Sequence, residues 1–437
     1  MSTSIRNQID EFFREQGMHA EAVDIGRGCE IFTDEMERGL AGAPGSLKMI
    51  PTYVAAGMEI PINEPVIAID AGGTNFRVCV VRFDADRKPV IEDFKMHPMP
   101  GTHGRLSRNE FFGAMADYIA PVVDKANKIG FCFSYPSEIL PSGDGRLIRF
   151  SKEVQADGVE GELVGKGLLE AVAAQGRRAD KSVVLLNDTV ATLLGGKAAR
   201  ANRQYGSYIG FILGTGTNTC YIERNAAITK VPSLDHERSM IINIESGAYG
   251  RAPQGMVDRE LDARTVNPGE HLFEKMISGG YFGDMALLTL KKAAASGLFT
   301  GACAARIQAL SAFATRDANE FLEDSYGAGV LAACCEGEAD RTAAWYLLDG
   351  LFERAAKFVA INLSAVIMKS GGGADPCRPV LVTAEGTMFN KSKSFRRKLD
   401  YYIKDYLEDT LGLYCEFIEV ENATLLGTAI AGLTGCV

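Results

Sequence analysis

The sequence predicts an α/β protein whose two related domains face each other across a cleft. The first observation behind this fold class is a strand–turn–strand pattern that occurs twice, each time with glycine, threonine and asparagine in the turn. The second is the alternation of strand-like and helix-like segments, which is typical of α/β domains. Asn218, at the end of the second turn, lies 143 residues after Asn75, at the end of the first. That separation fits one whole α/β domain between the copies.

The first hairpin lies in the stretch VIAIDAGGTNFRVCVV, residues 66–81. It lacks the Lys and Ser/Thr of a P-loop and the G-x-G-x-x-G of a dinucleotide-binding turn, and apolar residues alternate again after Asn75. Gly72 and Gly73 would let backbone N–H groups approach an anion, and Thr74 and Asn75 would add donors. The alternative is an ordinary hairpin with a glycine turn.

The second hairpin lies in YIGFILGTGTNTCYIE, residues 208–223, and repeats the same order of apolar strand, turn and apolar strand. Two such hairpins on facing domains could hold a polyphosphate from both sides. The turn residues predicted to contact it are Gly214, Thr215, Gly216 and Thr217.

Strands and helices are also predicted around the hairpins. The segment KIGFCFSYP predicts a strand, and Val164, Leu168 and Val172 share one face of a helix. The segment SVVLLNDTVATLLGG predicts a buried strand that enters a helix at Asn187 and Asp188.

Further elements are predicted after the second hairpin. We expect a strand ending at Glu245 and a helix that Pro268 and Gly269 introduce in NPGEHLFEKMISGGYFGDM. A long core helix, a strand in PVLVTAEGTMF and a small-residue helix start in ENATLLGTAIAGL follow. No linker or low-complexity tract interrupts this pattern.

Composition narrows the possible partners. The 437 residues suffice for two or more domains. A formal net charge of -10, without any dense Lys/Arg block, argues against a nucleic-acid partner. Ten cysteines without a C-x-x-C pair are expected to be buried, reduced thiols, which predicts a cytoplasmic location. No targeting segment and no run of 18 apolar residues is found, so we expect neither secretion nor a membrane partner.

Taken in order, these segments resemble the hexokinase family, in the superfamily that shares the actin and Hsp70 ATPase fold. The resemblance covers nearly all of the chain. The segments that carry it are IDAGGTNFRV, FSYPSEI, FSKEVQADGVEGELV, LNDTVATL, LGTGTNTCYIE, NIESGAYG, NPGEHLFEKMISGGYFG, EGTMF and ATLLGTA.

The resemblance implies two actin-like (ribonuclease H-like) domains, with mixed sheets flanked by helices around a deep cleft. The small domain would span 62–205, with 424–437 packing back onto it, and the large domain would span 1–61 and 206–423. A monomer or a homodimer is expected.

Three residues are predicted to carry the chemistry of phosphoryl transfer. Asp188, between a buried strand and a helix, is the candidate general base, and its alternative role is the N-cap of a helix beginning at Thr189. Arg77 could reach the transferred phosphoryl group, or form an exposed salt bridge. Lys152 is implied by the resemblance to approach the same phosphate.

Asp70 ends the first strand of the first hairpin. Beside a triphosphate a carboxylate requires a cation, so we predict Mg²⁺, held through water. A turn-stabilising Asp that bonds its own backbone is the alternative.

The resemblance also implies ligand-binding residues. Those matching the sugar contacts are Ser134, Ser151, Lys152, Asn187, Asp188, Asn218, Glu245, His271 and Glu274. The predicted nucleotide-binding residues include the two turns, Asp70 and Arg77. To these the resemblance adds residues of the adenosine region, which are Glu385, Gly386, Thr387, Thr424 and Gly427.

Four positions depart from the family pattern. Ser151 stands where Thr is usual, Ser246 where a large aromatic residue is common, His271 where Gln is usual and Glu385 where Asp is usual. These departures bear on sugar selectivity and nucleotide affinity, since none removes the candidate base.

The resemblance therefore implies an ATP- and Mg²⁺-dependent kinase that phosphorylates the 6-hydroxyl of glucose or a related hexose, with the domains closing on the sugar. The alternative is a catalytically weak sugar sensor or scaffold of the same fold, which would be expected to lose Asp188 or a turn glycine. An actin-like or chaperone ATPase would have no use for the sugar-type loops.

Overall fold

The computed structural model describes residues 2–55, 57, 59–150 and 154–436. Its strands are β1 (Ile50–Ala55), β2 (Val66–Ala71), β3 (Asn75–Phe83), β4 (Pro89–Pro98), β5 (Leu106–Ser107), β6 (Lys128–Phe133), β7 (Ser137–Ile139), β8 (Gly145–Leu147), β9 (Ala156–Asp157), β10 (Ser182–Leu186), β11 (Ser207–Leu213), β12 (Thr217–Arg224), β13 (Ser239–Asn243), β14 (Val380–Glu385) and β15 (Cys415–Ile418).

Helices cover the remaining regular structure. They are α1 (Ser2–Glu15), α2 (Ile25–Ala41), α3 (Arg108–Ile119), α4 (Val164–Ala174), α5 (Asp188–Ala199), α6 (Met256–Arg264), α7 (Leu272–Ile277), α8 (Gly279–Ala295), α9 (Gly301–Ala309), α10 (Thr315–Glu323), α11 (Val330–Cys334), α12 (Glu338–Ser370), α13 (Thr387–Lys391), α14 (Lys393–Tyr402), which continues as a π-helical segment (Ile403–Thr410), and α15 (Ala423–Thr434).

The two main sheets share one topology. Their strand orders are β10–β6–β2–β3–β4 and β15–β14–β11–β12–β13–β1. In each sheet a hairpin, β2–β3 or β11–β12, is extended by an antiparallel strand on one side and by two parallel strands on the other, and β1 adds a second antiparallel strand beyond β13 in the six-stranded sheet. This confirms the predicted fold class of two related α/β units with mixed sheets. The boundaries at 62–205 and 206–423 stay predictions.

Helices α5 and α15 pack closely enough for their backbones to touch. A Cβ atom built onto Gly427 would lie 1.8 Å from the carbonyl oxygen of Ala191, and one built onto Gly195 would lie 2.3 Å from that of Ala423. Helix α15 also packs against β2 and β6. The close packing of the two helices therefore requires glycine at both positions, because any side chain would collide with the facing backbone.

Several elements agree with the sequence prediction. Helix α4 buries Val164, Leu168 and Val172 on one face. The long helix α12 is the predicted core helix, and it buries Leu348, Phe352, Ala355, Val359 and Leu363. Among the helices that the structure describes, none has the length and apolar character needed to span a membrane.

The predicted helix introduced by Pro268 and Gly269 is instead two helices, α7 and α8, separated at Ser278. The break has a structural reason: the backbone N–H of Gly279 donates to the carbonyl oxygen of Gly214 at 2.7 Å, and that of Gly280 to Thr215 at 3.0 Å. The start of α8 is thus tied to the turn of the second hairpin.

Two smaller predictions are also wrong. Strand β13 ends at Asn243 rather than Glu245, because Glu245 adopts a left-handed conformation with φ 59° and a short 3₁₀ turn follows. All ten cysteines are free as expected, but Cys377 is exposed and Cys415 and Cys436 are only partly buried.

Candidate functional site

A polar pocket lies between the two main sheets. Thr52 of β1 and Asn243 of β13 line it from the six-stranded sheet, and Asn187, after β10, lines it from the five-stranded sheet. Tyr135 and Glu245 complete its polar wall. Both sheets therefore contribute to one site, as the cleft predicted from the sequence requires.

Asp188 is the first residue of α5 and is separated from the buried end of β10 only by Asn187. The N-cap is Asn187, whose side-chain oxygen accepts from the backbone N–H of Thr189 at 2.8 Å. Oδ1 of Asp188 accepts from the same N–H, also at 2.8 Å. The helix begins one residue earlier than Thr189, so the alternative in which Asp188 is the N-cap is wrong.

Three polar side chains form a network beside Asp188. Nδ2 of Asn218 donates to Oδ1 of Asn243 at 2.8 Å and lies 3.4 Å from Oε1 of Glu245. Nδ2 of Asn243 donates to the same Glu245 oxygen at 2.8 Å, and Asn218 also reaches Asn187 at 3.4 Å. The structure thus brings together three of the predicted sugar residues, Asn187, Asn218 and Glu245.

Asn243 was not predicted as a site residue from the sequence. Its only signal in the sequence is an amide side chain at the end of a strand, after three apolar residues. In the structure it is 5% exposed and fixes the Glu245 carboxylate.

Burial raises the pKa of Glu245 above its ordinary value. The hydrogen bond from Asn243 opposes this rise, while the negative charge of Asp188 adds to it. Glu245 is half-buried, and such a carboxylate is well suited to accept hydrogen bonds from a polyol, because the hydroxyl groups would replace the lost water.

Glu274, in the first turn of α7, contacts the second hairpin. Its Oε2 accepts from the backbone N–H of Thr217 at 3.0 Å, and a Cβ atom on Gly216 would lie 2.5 Å from that oxygen. A Cβ atom on Gly247 would lie 3.3 Å from it. Glu274 therefore sits where the turn after Glu245 meets the glycine-rich turn.

His271 precedes α7 with φ 51°, and burial lowers its pKa. A neutral imidazole at this position can both donate and accept a hydrogen bond, as an amide side chain can. That property matches the Gln usually found here in the family.

Asp70 and Arg77 face each other across the first hairpin. They are register partners on β2 and β3, and Nη2 of Arg77 lies 2.8 Å from Oδ2 of Asp70. The Asp70 side chain is 3% exposed, whereas that of Arg77 is 39% exposed. Arg77 thus forms a salt bridge, which is the alternative role predicted for it, but its partner is buried rather than exposed.

Glu385 ends β14, and its pKa is raised to about 7 by burial. The hydroxyl group of Thr424, 3.3 Å away, opposes the rise, and the charges of Asp188 and Asp70 add to it. These three carboxylates therefore lie within electrostatic reach of one another. No three His, Cys, Asp or Glu side chains among the described residues are close enough together to hold a metal ion directly. A divalent cation beside these carboxylates would therefore be held largely through water, and it would relieve their mutual repulsion.

The turn of the second hairpin is tightly enclosed. Besides its bonds to Gly279 and Gly280, it abuts Gly386, where a Cβ atom would lie 2.3 Å from the carbonyl oxygen of Leu213. Gly386 also has φ 117°, which favours glycine. In the first turn, a Cβ atom on Gly72 would lie at an ordinary contact distance of 3.8 Å from the carbonyl oxygen of Asn75.

A cavity of about 610 Å³ adjoins the second turn and is lined by Gly214, Thr215 and Thr387. It adds residues from helices that the sequence did not identify as site residues, because on a helix they look like ordinary surface positions. They are Thr315, Arg316, Asn319, Glu320 and Lys391, and Ser392, between α13 and α14, also lines the cavity.

The remaining predicted residues are placed as follows. The Ser134 N–H donates to the carbonyl oxygen of Ala71 at 3.1 Å, beside Asp70. In the first turn, the carbonyl oxygen of Thr74 accepts a hydrogen bond from the backbone N–H of Met99, and that of Asn75 accepts one from the backbone N–H of Gly72. Gly73 lies in the turn between Gly72 and Thr74. Ser151 and Lys152 lie outside the described residues.

Comparison with known proteins identifies the family of the chain. Models of the hexokinase family match residues 8–198 and 208–434. "Hexokinase-2" of Rattus norvegicus is 29% identical over 97% of this chain, which spans 47% of the rat protein. "Hexokinase-1" of Schizosaccharomyces pombe is 28% identical over 98% of this chain, which spans 91% of that protein.

Solved structures show the same fold. A hexokinase from Schistosoma mansoni complexed with glucose superposes with a TM-score of 0.79 at 21% identity, and all of both chains is covered. A second solved hexokinase gives a TM-score of 0.78 at 22% identity over 99% of each chain.

Proposed function

This chain belongs to the hexokinase family, and we propose that it transfers the terminal phosphoryl group of ATP to the 6-hydroxyl group of glucose or a related hexose. One arrangement supports this most directly. Asp188, at the start of α5, lies near both Glu245, in the amide–carboxylate network, and Glu385, at the end of β14, so that its negative charge adds to the rise that burial causes in the pKa of each. A carboxylate between a polyol-type site and a phosphate-type site is where phosphoryl transfer to a hydroxyl group needs one.

Asp188 acts as the general base in this proposal. The sugar hydroxyl loses its proton as the bond to phosphorus forms, and a carboxylate within hydrogen-bond reach accepts it. Its second oxygen is available for this role, because the backbone contact to Thr189 uses Oδ1.

The sugar would be held from both sheets. Asn187 and Ser134 follow strands of the five-stranded sheet, and Asn218 and Glu245 belong to the six-stranded sheet and its following turn. Ser151, Lys152, His271 and Glu274 are the further contacts that the family resemblance implies. Each hydroxyl group of a hexose then has a fixed partner, which aligns the 6-hydroxyl group with the phosphate.

Asp70 is the proposed carboxylate for Mg²⁺, which when bound neutralises charge on the phosphate oxygens. Arg77 forms a salt bridge with Asp70 and is exposed enough to contact the transferred phosphoryl group as well. The two glycine-rich turns provide backbone N–H groups, and the cavity beside Thr215 and Thr387 provides space for the adenosine part of ATP.

Steady-state kinetics on a panel of hexoses tests the function. We expect ATP-dependent formation of a hexose 6-phosphate from glucose, mannose, fructose or an amino sugar, loss of activity on chelation of divalent cations and its return with Mg²⁺. Absence of phosphorylation with every hexose, under conditions where the protein is folded and MgATP is saturating, would contradict the proposal.

A further inference from the structure

Ser246 follows Glu245 and takes a position where the family commonly has a large aromatic residue. Its side chain is fully buried, and its hydroxyl oxygen lies 3.1 Å from that of Thr219 on β12. This hydrogen bond joins the turn after Glu245 to the middle of the second hairpin. At this position, a hydrogen bond between two hydroxyl groups therefore stands where an aromatic ring would usually pack.

The link continues into the core. Nδ2 of Asn362 donates to Oγ1 of Thr219 at 2.8 Å. Asn362 lies in the C-terminal half of the long helix α12 and is fully buried. Its Oδ1 has no hydrogen-bond partner among the described residues, so the bond from Nδ2 to Thr219 is what partly offsets the cost of burying the amide.

Thr219 and Ser246 also set the orientation of Asn218. Oδ1 of Asn218 accepts from the backbone N–H of Thr219 at 2.7 Å and from that of Ser246 at 3.3 Å. With both donors on its oxygen, the amide must direct Nδ2 towards Asn243 and Glu245, where the acceptors are.

Glu245 needs this support because its backbone is strained. It adopts φ 59° and ψ 48°, a left-handed conformation that non-glycine residues hold only where their surroundings enforce it. The hydroxyl link lies one residue after the strained position and ties it to β12 and α12.

We propose that Asn362, Thr219 and Ser246 form a buried positioning chain for the sugar-binding face of Asn218 and Glu245. Asn362 acts through the hydroxyl groups rather than by touching the sugar, so it determines sugar affinity from the core of the molecule. The inference rests on the proposed function, because it assigns these residues to the sugar part of that site.

Kinetic variants test the chain. Asn362→Leu and Thr219→Val keep the approximate volume and remove the polar contact. We expect each to raise the KM for the preferred hexose about 5- to 10-fold, the size of effect of one buried hydrogen bond, with the KM for MgATP changed less than twofold. Thr219→Ser retains the hydroxyl group and should keep the sugar KM near the wild-type value.

The combined variant provides a further criterion. If Asn362 acts through Thr219, the double variant Asn362→Leu/Thr219→Val should raise the sugar KM no more than about twofold beyond the larger single effect. Ser246→Ala, a milder change, should shift the sugar KM in the same direction. Ser364→Ala is the matched control: Ser364 is buried on the same helix, and its Oγ has no hydrogen-bond partner among the described residues.

The outcomes separate the two proposals. If the wild-type protein neither phosphorylates nor, by calorimetry, binds any hexose, the proposed function fails. If the wild-type protein is active but the variants change the KM for sugar and MgATP equally, or match Ser364→Ala, the positioning chain is overturned. A variant that fails to fold is replaced by Ser246→Ala and Thr219→Ser, and the question is decided by whether the first raises the sugar KM while the second leaves it near the wild-type value.

Discussion

Asp188 is the residue on which the proposed chemistry depends. Asp188→Asn keeps an oxygen that can accept from Thr189 but has no basic group for the sugar proton. We expect kcat to fall by about 100-fold or more, with hexose affinity changed only a few-fold, since the loss falls on the transition state. Steady-state kinetics and calorimetry measure the two effects. Turnover within a few-fold of wild type would assign the role of base to another carboxylate.

Glu385 makes stability depend on pH. Its pKa rises from 4.5 in the ordinary case to about 7 on folding, so the folded state binds more protons than the unfolded state between these values. Stability is therefore lost as the pH rises through this window. Glu385→Gln removes the buried charge and should raise the free energy of unfolding at pH 8 by about 1–3 kcal/mol, at about 1.4 kcal/mol per pKa unit, with a smaller gain at pH 5.5.

Denaturant unfolding without ligands at the two pH values measures this difference. Glu110→Gln is a control of opposite sign, because hydrogen bonds from Ser107 lower the pKa of Glu110. That variant should gain no stability at pH 8. An equal effect of Glu385→Gln at both pH values would show that the buried charge is not the cause.

Sequence patterns single out residues that stand inside a motif and miss residues whose contacts come from distant segments. Asp188 and Asn218 belong to recognisable motifs, and the structure places Asp188 at the start of α5 and Asn218 beside Asn187 and Glu245, while their roles stay predictions. Asn362 is 143 residues from its partner Thr219 and sits in a helix whose periodicity indicates only core packing. No local pattern identifies such a residue, because its partner is set by the tertiary fold.

At the scale of elements, the contact between α5 and α15 depends on glycine. Gly427→Ala would place a Cβ atom 1.8 Å from the carbonyl oxygen of Ala191, a distance that requires the helices to move apart. We expect a loss of at least about 2 kcal/mol in the free energy of unfolding, as for other overpacked cores. Gly301→Ala is the control, because a Cβ atom there has nothing within 4 Å at the start of α9. Equal unfolding midpoints for the two variants would contradict the close packing.

The elements themselves were largely predictable. Both hairpins, α4, α12 and β14 follow from periodicity and turn residues, which are local signals. The break between α7 and α8 does not, since it depends on hydrogen bonds from Gly279 and Gly280 to a turn about 65 residues earlier in the chain. A helix-forming sequence cannot report a partner that lies so far away.

The proposed sugar contacts belong to both sheets, so the whole molecule should respond to the sugar. A ligand that touches both walls binds the closed cleft more tightly than the open one. We expect a saturating hexose substrate to reduce the radius of gyration measured by solution scattering, and ATP hydrolysis without sugar to be orders of magnitude slower than phosphorylation.

Glu274→Ala should weaken both sugar binding and compaction. Scattering unchanged by saturating sugar in the wild-type protein would contradict closure. The single tryptophan, Trp345, lies on α12 away from the polar pocket, so an unchanged fluorescence signal would not decide the matter.

The packing of α15 also governs when the protein can fold during its synthesis. The core on which α15 packs combines residues from the first hairpin and α5 with Leu425, Ala429 and Leu433. Leu425 is translated 231 residues after Leu194, a delay of about 10–50 s at the usual rates of elongation. Throughout that interval the nascent chain holds an apolar surface that its own later segment will cover. A chaperone that shields such surfaces on the ribosome is therefore expected to increase the yield of native protein more than one added after release.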